Sequence, residues 1–244
     1  MRRRNLTELA NNPDLISGIY NYCDRWCERC PLTSRCLVYA AEQEDDDLHE
    51  NQDIRNEAFW QKLGSILQET RAMISEWAKE AGVDLSEPTC EDESRYRRKR
   101  QLVDNHPLAK CGKKYANAAS DWFREFDQTT EHAESLEDAR EVIQWYQYQI
   151  AVKTIRALSG RREEFEEDPE LPKDSDGSAK VALIGIDRSI AAWRLMQLSL
   201  PKRAETIVPL ILQLERLRQR LEKGFPDARS FIRPGFDEVH LRNL

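Results

Sequence analysis

A cluster of cysteines near the N-terminus is the feature that most restricts how this chain can fold. Four of its six cysteines fall within fourteen residues, at Cys23, Cys27, Cys30 and Cys36. Thiols this close together in a reducing compartment point to a bound metal rather than to disulfides. We therefore predict a metal site with Cys23, Cys27, Cys30 and Cys36 as its ligands.

Local signals around the first three cysteines favour a helix. Asn12 suits an N-cap, Pro13 suits the first helical position, and apolar residues then recur every three or four positions. Pro31 disfavours helix in the residue before it, so we expect the helix to run from Asn12 to about Cys30. With about 3.6 residues per turn, these three cysteines would share one face of the helix.

The expected helix bears on which metal the thiols would bind. Cys36 would return in the first turn of a second short helix, after a cap at Thr33 or Ser34. Along an ideal helix Cys23 and Cys30 lie about 10 Å apart, whereas a single zinc needs its sulfurs roughly 4 Å apart. A four-iron cluster is wider and also takes four cysteines. We therefore favour an iron–sulfur cluster slightly over Zn as the cofactor.

Two other interpretations of the cysteines stay open. Free cysteine can pack as a small apolar residue, and a disulfide framework would need a secretory context that the sequence does not suggest. Arg25, Arg29 and Arg35 are interspersed with the cysteines. These arginines would either compensate the charge of an anionic centre or form an ordinary solvated surface.

The composition limits the partners of the chain. Its 244 residues carry a formal net charge of −7, which argues against nucleic-acid binding because such binding depends on neutralising phosphates. No stretch approaches about eighteen apolar residues, so we expect no membrane partner. Polar residues follow Met1–Arg4, so we expect no secretory signal and a cytoplasmic location. A protein partner and the oligomeric state stay open.

The rest of the chain predicts an all-α fold. Residues that favour helix, such as Leu, Ala, Glu and Lys, are abundant, whereas glycine and proline are scarce. Amphipathic patterns predict five long helices, over residues 53–80, 107–127, 134–159, 179–199 and 201–223. We therefore expect a helical bundle in residues 51–244 and a cysteine-rich, metal-binding helix pair in residues 1–50.

Several polar and thiol residues outside the cluster have no assigned partner. Asp187 and Arg188 interrupt the most apolar predicted helix, either as a buried polar site or as an exposed or internally paired edge. The run Arg95–Arg100 is either a surface for a nucleic acid or another acidic partner, or a solvated helix face. Cys90 and Cys111 are isolated in the sequence, so we assign them structural roles.

The sequence predicts metal binding more directly than it predicts any reaction. We expect a metal-binding helical protein with a structural, redox or sensing role. One alternative is an enzyme with a catalytic metal site inside the bundle, although the long helices lack the Glu-x-x-His pairs that di-iron bundles use. Another is an adaptor that binds an acidic partner through Arg95–Arg100. No catalytic residue is predicted.

Overall fold

All regular secondary structure that the computed structural model describes is helical. The described residues are Leu9 and residues 11–43, 57–85, 90–127, 136–163 and 173–237, and no strand occurs among them. Their α-helices are α1 Leu37–Gln43, α2 Glu57–Ala81, α3 Cys90–Asp104, α4 Pro107–Phe126, α5 Glu137–Glu163, α6 Asp174–Ser199 and α7 Ala204–Gly224. The predicted all-α class is therefore confirmed.

None of the helices in these ranges has both the length and the apolar composition needed to cross a bilayer. Contacts divide the chain into two units. The larger unit combines Gly18–Cys30 with Arg97–Leu244, and the smaller unit combines Met1–Ser17 with Pro31–Tyr96. The three boundaries thus lie before Gly18, between Cys30 and Pro31 inside the cysteine cluster, and after Tyr96 inside α3. The predicted division after residue 50 lies outside the described residues.

Four helices, α4 to α7, form the body of the larger unit. Each of them packs against two of the others: α4 and α6 both contact α5 and α7. Large side chains, among them Tyr115, Tyr146, Trp193 and Leu214, are fully buried between them. This is the arrangement of a four-helix bundle, in which apolar stripes meet along a shared core.

The expectation of five bundle helices is not confirmed, because α2 belongs to the smaller unit. The sequence predicts α2 well as a helix, since its apolar residues recur at helical spacing. Every residue from Leu67 to Trp77, however, is exposed. An apolar stripe shows that a helix is amphipathic, but it does not show which element covers that stripe.

The predicted helix from Asn12 to Cys30 is wrong. The chain instead makes short 3-10 turns at Ile19–Asn21 and Cys27–Arg29, and a third at Thr33–Arg35. Cys36 immediately precedes α1, and its carbonyl accepts the Ala40 amide at 2.9 Å. The cysteines therefore do not continue one helical stripe.

Two local effects prevent the expected helix. Gly18 and Arg25 have positive φ angles of 71° and 58°, a conformation that ends a right-handed helix. The side chains of Asn12 and Asp24 each accept a hydrogen bond from the amide two residues later, at 3.0 and 3.3 Å. Such side-chain bonds replace the backbone bonds that a helix needs.

Small residues bring α5 close to its neighbours in the bundle. A Cβ atom added at Gly185 of α6 would lie 2.9 Å from Tyr146 Cδ1, and one at Gly112 of α4 would lie 3.1 Å from Ala151 Cα. Since protein interiors are close-packed, neither position has room for a methyl group without movement of α5 or of the Tyr146 ring.

We expect Gly185→Ala to lower the free energy of unfolding by about 1–3 kcal/mol, because the added methyl group overpacks the contact between α5 and α6. Gly64→Ala is the matched control, since its Cβ would meet no atom within 4 Å. That change should strengthen α2 by about 1 kcal/mol through helix propensity. Urea unfolding followed by circular dichroism measures both. If Gly185→Ala had the same free energy of unfolding as the wild type, the close approach of α6 to Tyr146 would not be needed for stability.

Candidate metal-binding segment

Cys27 and Cys30 lie at the two ends of one tight turn. The Cys30 amide donates to the Cys27 carbonyl at 3.1 Å, which closes the 3-10 turn Cys27–Arg29. This hydrogen bond brings the backbones of the two cysteines close together. Neither cysteine forms a disulfide, and both are of intermediate exposure. The turn therefore presents two potential thiolate ligands together.

Cys23 lies just before this turn and is more enclosed. Its Sγ is 3.5 Å from the Tyr20 carbonyl, to which the thiol donates. Burial raises the pKa of Cys23, while a backbone hydrogen bond from Arg25 and the charges of Arg25 and Lys153 act to lower it. The surroundings thus include an amide and two cations that would stabilise a thiolate.

Asp24 fastens the segment between Cys23 and Cys27 to the bundle. Its carboxylate accepts hydrogen bonds from Tyr146 Oη of α5 and from Arg188 Nη1 of α6, the latter at 2.8 Å. Arg188 also donates to Tyr146 Oη, so the three side chains form a closed triangle. Burial, followed by the bond to Asp24, raises the pKa of Tyr146, so the phenol stays a hydrogen-bond donor.

Backbone carbonyls of the segment are also bound by side chains of α5. Trp145 Nε1 donates to the Asp24 carbonyl at 2.9 Å, and Gln149 Nε2 donates to the same oxygen. The buried Lys153 ammonium donates to the Asn21 carbonyl at 2.9 Å. The Asp24 and Asn21 carbonyls thus find their donors on α5, which lets this irregular backbone lie against the bundle.

Aromatic stacking fixes the entrance to the Cys27–Cys30 turn. The Trp26 ring stacks on Trp145, with centroids 5.0 Å apart and planes 17° apart. The Arg29 guanidinium lies 4.4 Å from the Trp26 centroid and forms ion pairs with Asp138, at 3.0 Å, and with Glu141. Arg29, a candidate for charge compensation, is therefore engaged with α5.

The start of the segment is clamped by a second aromatic contact. Tyr22 packs against Phe231 of the C-terminal tail, with ring centroids 4.8 Å apart. A Cβ atom at Gly177 of α6 would lie 2.3 Å from Tyr22 Cε1 and 2.8 Å from Phe231 Cζ. The absence of a side chain at Gly177 thus makes the space that Tyr22 occupies.

The predicted ligands are not gathered into a metal-binding group. Among the described residues, no three or more His, Cys, Asp or Glu side chains are close enough together to hold a metal ion. Cys23, Cys27 and Cys30 all belong to the larger unit, whereas Cys36 belongs to the smaller one. Their role as metal ligands therefore stays a prediction.

The other candidate residues are placed as follows. Arg95–Arg100 is an exposed run within α3. Cys111 is a free thiol of α4 that accepts a hydrogen bond from Arg220 at 3.4 Å, and the side chain of Cys90 lies outside the described residues. Neither the run nor Cys111 adds a ligand group to the cysteine segment.

Asp187 and Arg188 form ion pairs rather than a buried polar site. Asp187 binds Arg218 at 3.4 Å and Arg229 at 2.6 Å, while Arg188 binds Asp24. Sequence reasoning left this role of Arg188 undetected, because its partner is 164 residues away. A detectable signal lay in the helix predicted over 134–159, which is apolar on two sides. Its third side carries the polar residues Gln149, Lys153 and Arg156, and Gln149 and Lys153 bind the cysteine segment.

We expect Asp24→Asn to loosen residues 18–30 without unfolding the bundle. Loss of charge-assisted hydrogen bonds worth about 2 kcal/mol should speed amide exchange there about 30-fold. Asp187→Asn is the matched control, because it also removes one paired carboxylate of the larger unit but not one that binds this segment. Hydrogen exchange followed by mass spectrometry measures the amide exchange rates of residues 18–30 in both variants. Equal exchange in residues 18–30 of the two variants would contradict the anchoring role of Asp24.

Known proteins offer no guide to the role of this segment. No family model matches the chain, and no curated protein or solved structure matches it. What the segment does must therefore be inferred from its own chemistry, which consists of three thiols, the backbone amides around them and the side chains of α5 and α6 that hold them.

Proposed function

We propose that this chain is a metal-binding protein whose thiolate centre has a structural, redox or sensing role. The observation that supports this most directly is the Cys27–Cys30 turn. It has a reduced thiol at each end, and the stack of Trp26 on Trp145 fastens it to α5. Cysteines with two to four residues between them are the usual ligand pairs of structural metal sites, and Cys23 adds a third at a spacing of this kind.

The irregular backbone changes the balance between the two candidate metals. The cluster was favoured because a helix would spread Cys23 and Cys30 too far for one zinc ion. No helix joins these residues, so this objection to zinc no longer applies. Both an iron–sulfur cluster and a single Zn²⁺ remain compatible with thiolate ligands, and metal analysis separates them.

Metal binding would draw the thiols closer than the described geometry holds them. A thiolate centre commonly supplies its binding free energy as local folding free energy, because its ligands converge only around the metal. The contacts that anchor residues 18–30 include the Asp24 carboxylate, the rings of Tyr22 and Trp26, the Arg29 guanidinium and two backbone carbonyls. Cys36 is the fourth ligand that the sequence predicts.

We expect anaerobically purified wild-type protein to contain about one metal centre per chain, and Cys27→Ser or Cys30→Ser to lose it, because each removes one thiolate of the pair. Cys111→Ser is the matched control and should retain the metal in full. Elemental analysis with an absorption spectrum is the measurement. Iron with labile sulfide and broad absorption indicates a cluster, whereas a colourless protein with zinc indicates a single ion. A metal-free wild type would refute the proposal.

Removal of the metal with a chelator should speed exchange in residues 18–30 while α4 to α7 keep their protection, since the bundle core is continuous without the centre. Cys27→Ser should reproduce this pattern. Loss of protection across α5 and α6 would instead mean that the centre is integral to the whole bundle. Unchanged exchange everywhere would mean that the metal does not organise the segment.

A further inference from the structure

The turn between Cys27 and Cys30 meets the distance requirement of a disulfide. Two residues separate the cysteines, and the Cys30 amide donates to the Cys27 carbonyl at 3.1 Å. A turn closed by such a bond holds its first and fourth Cα atoms less than about 7 Å apart. Disulfides usually join Cα atoms about 4.4–6.8 Å apart, so the backbone places the two cysteines within bridging distance.

Contacts that need no metal hold this turn in place. The Trp26 ring, which directly precedes Cys27, stacks on Trp145 of α5 with centroids 5.0 Å apart. Arg29, inside the turn, lies 4.4 Å from the Trp26 centroid and binds Asp138 of α5 at 3.0 Å. The two cysteines therefore stay close in sequence and in space whether or not a metal is bound, and such preorganisation favours a reaction between them.

The other two cysteines of the cluster are placed differently. The Cys23 thiol donates to the Tyr20 carbonyl, on the side of Cys23 away from the turn in sequence. Arg25 has a φ of 58°, which takes the backbone between Cys23 and Cys27 out of a regular helical turn. Cys36 belongs to the smaller unit. The pair that shares one hydrogen-bonded turn is thus Cys27 and Cys30.

A bond between Cys27 and Cys30 would be readily reversible. Both cysteines are partly exposed, so that a small oxidant or reductant can approach them. The ring that the bond closes contains only four residues, and a short loop gains less chain entropy from a cross-link than a long one. Exposed disulfides are reduced more easily than buried structural ones, and such labile bonds are the regulatory or catalytic ones.

We propose that Cys27 and Cys30 are a redox-active pair, which a low-molecular-weight disulfide such as oxidised glutathione converts reversibly to an intramolecular disulfide. One thiolate of the pair attacks a sulfur of the oxidant, whose S–S bond breaks, and one reduced glutathione leaves. The second thiolate then attacks the protein sulfur of this mixed disulfide, and a second reduced glutathione leaves. Two electrons and two protons thus pass from the protein to the oxidant.

Oxidation of the pair would also remove two ligands from the proposed metal centre. A metal binds the thiolate form of cysteine, which a disulfide no longer supplies. Metal and oxidant therefore compete for Cys27 and Cys30. This competition rests on the proposed function, whereas the disulfide itself does not, because it depends only on the geometry of the turn.

The test is mass spectrometry of the full chain after anaerobic equilibration with reduced and oxidised glutathione, both as purified and after chelation. We expect the wild type to lose two hydrogen atoms, and a peptide map to join Cys27 to Cys30. Cys30→Ser should stop at the mixed disulfide and retain about tenfold more glutathione than the wild type, because it lacks the thiol that displaces glutathione intramolecularly. Cys23→Ser is the matched control, which keeps both cysteines of the turn and should oxidise as the wild type does.

The metal content of the same samples separates this inference from the proposed function. Metal lost in step with the formation of the disulfide supports both. A metal-containing wild type that forms only mixed disulfides, or that joins other cysteines, would overturn the redox pair and leave the proposed function intact. Loss of the bond in Cys23→Ser would also overturn the pair. A metal-free wild type that still joins Cys27 to Cys30 would refute the proposed function and support the pair.

Discussion

The hydrogen bonds that Asp24 makes with α5 and α6 are the interaction on which the rest of the cysteine segment depends. An irregular backbone pairs only some of its own amides and carbonyls, and each one buried without a partner costs about 1–3 kcal/mol. The Asp24 carboxylate accepts hydrogen bonds from Tyr146 and Arg188. The Asp24 carbonyl accepts hydrogen bonds from Trp145 and Gln149. One residue thus satisfies donors of two helices and holds the turn in place.

The position of this anchor has a consequence for the thiols. Asp24 directly follows Cys23, and Trp26 directly precedes Cys27, so both anchors lie between ligand candidates. A pull on the thiols by a bound metal would therefore be transmitted to Tyr146 and Arg188 rather than absorbed by a loose loop. This arrangement would hold a structural metal centre rigidly against the bundle. It would also connect a sensing centre to the bundle core, since the Tyr146 side chain is fully buried.

The elements that the sequence predicts well are those whose signals are local. The helices α4 to α7 follow from apolar stripes of 3.6-residue period, and the stripes of Ile207, Leu210, Leu214 and Leu217 are buried as expected. The prediction of a helix from Asn12 to Cys30 was wrong because a residue that suits an N-cap also suits a turn. In addition, no local sequence signal predicts a positive φ at Arg25. The sequence predicted α2 correctly as a helix but wrongly as a member of the bundle, since amphipathicity does not identify the element that a helix packs against.

The site was only partly predictable for a similar reason. Spacing alone identifies the thiols, but side chains that hold the segment lie more than 100 residues away. Among them are Gln149 and Lys153 on the polar third side of α5 and Arg188 on α6. That polar side was a usable signal, because a helix that is apolar on two sides lies inside a bundle and its remaining polar residues need polar partners. An irregular segment with free carbonyls is such a partner, whereas another amphipathic helix is not.

Lys153 shows how closely the bundle and the thiols are linked. Burial lowers the pKa of this lysine, and the charge of Cys23 acts to raise it, while Lys153 in turn acts to lower the pKa of Cys23. A thiolate at Cys23 therefore stabilises a buried ammonium that already donates to the Asn21 carbonyl. Since a metal binds the thiolate form, loading of the proposed centre would place a negative group beside Lys153 and offset part of the free energy lost on burying its charge.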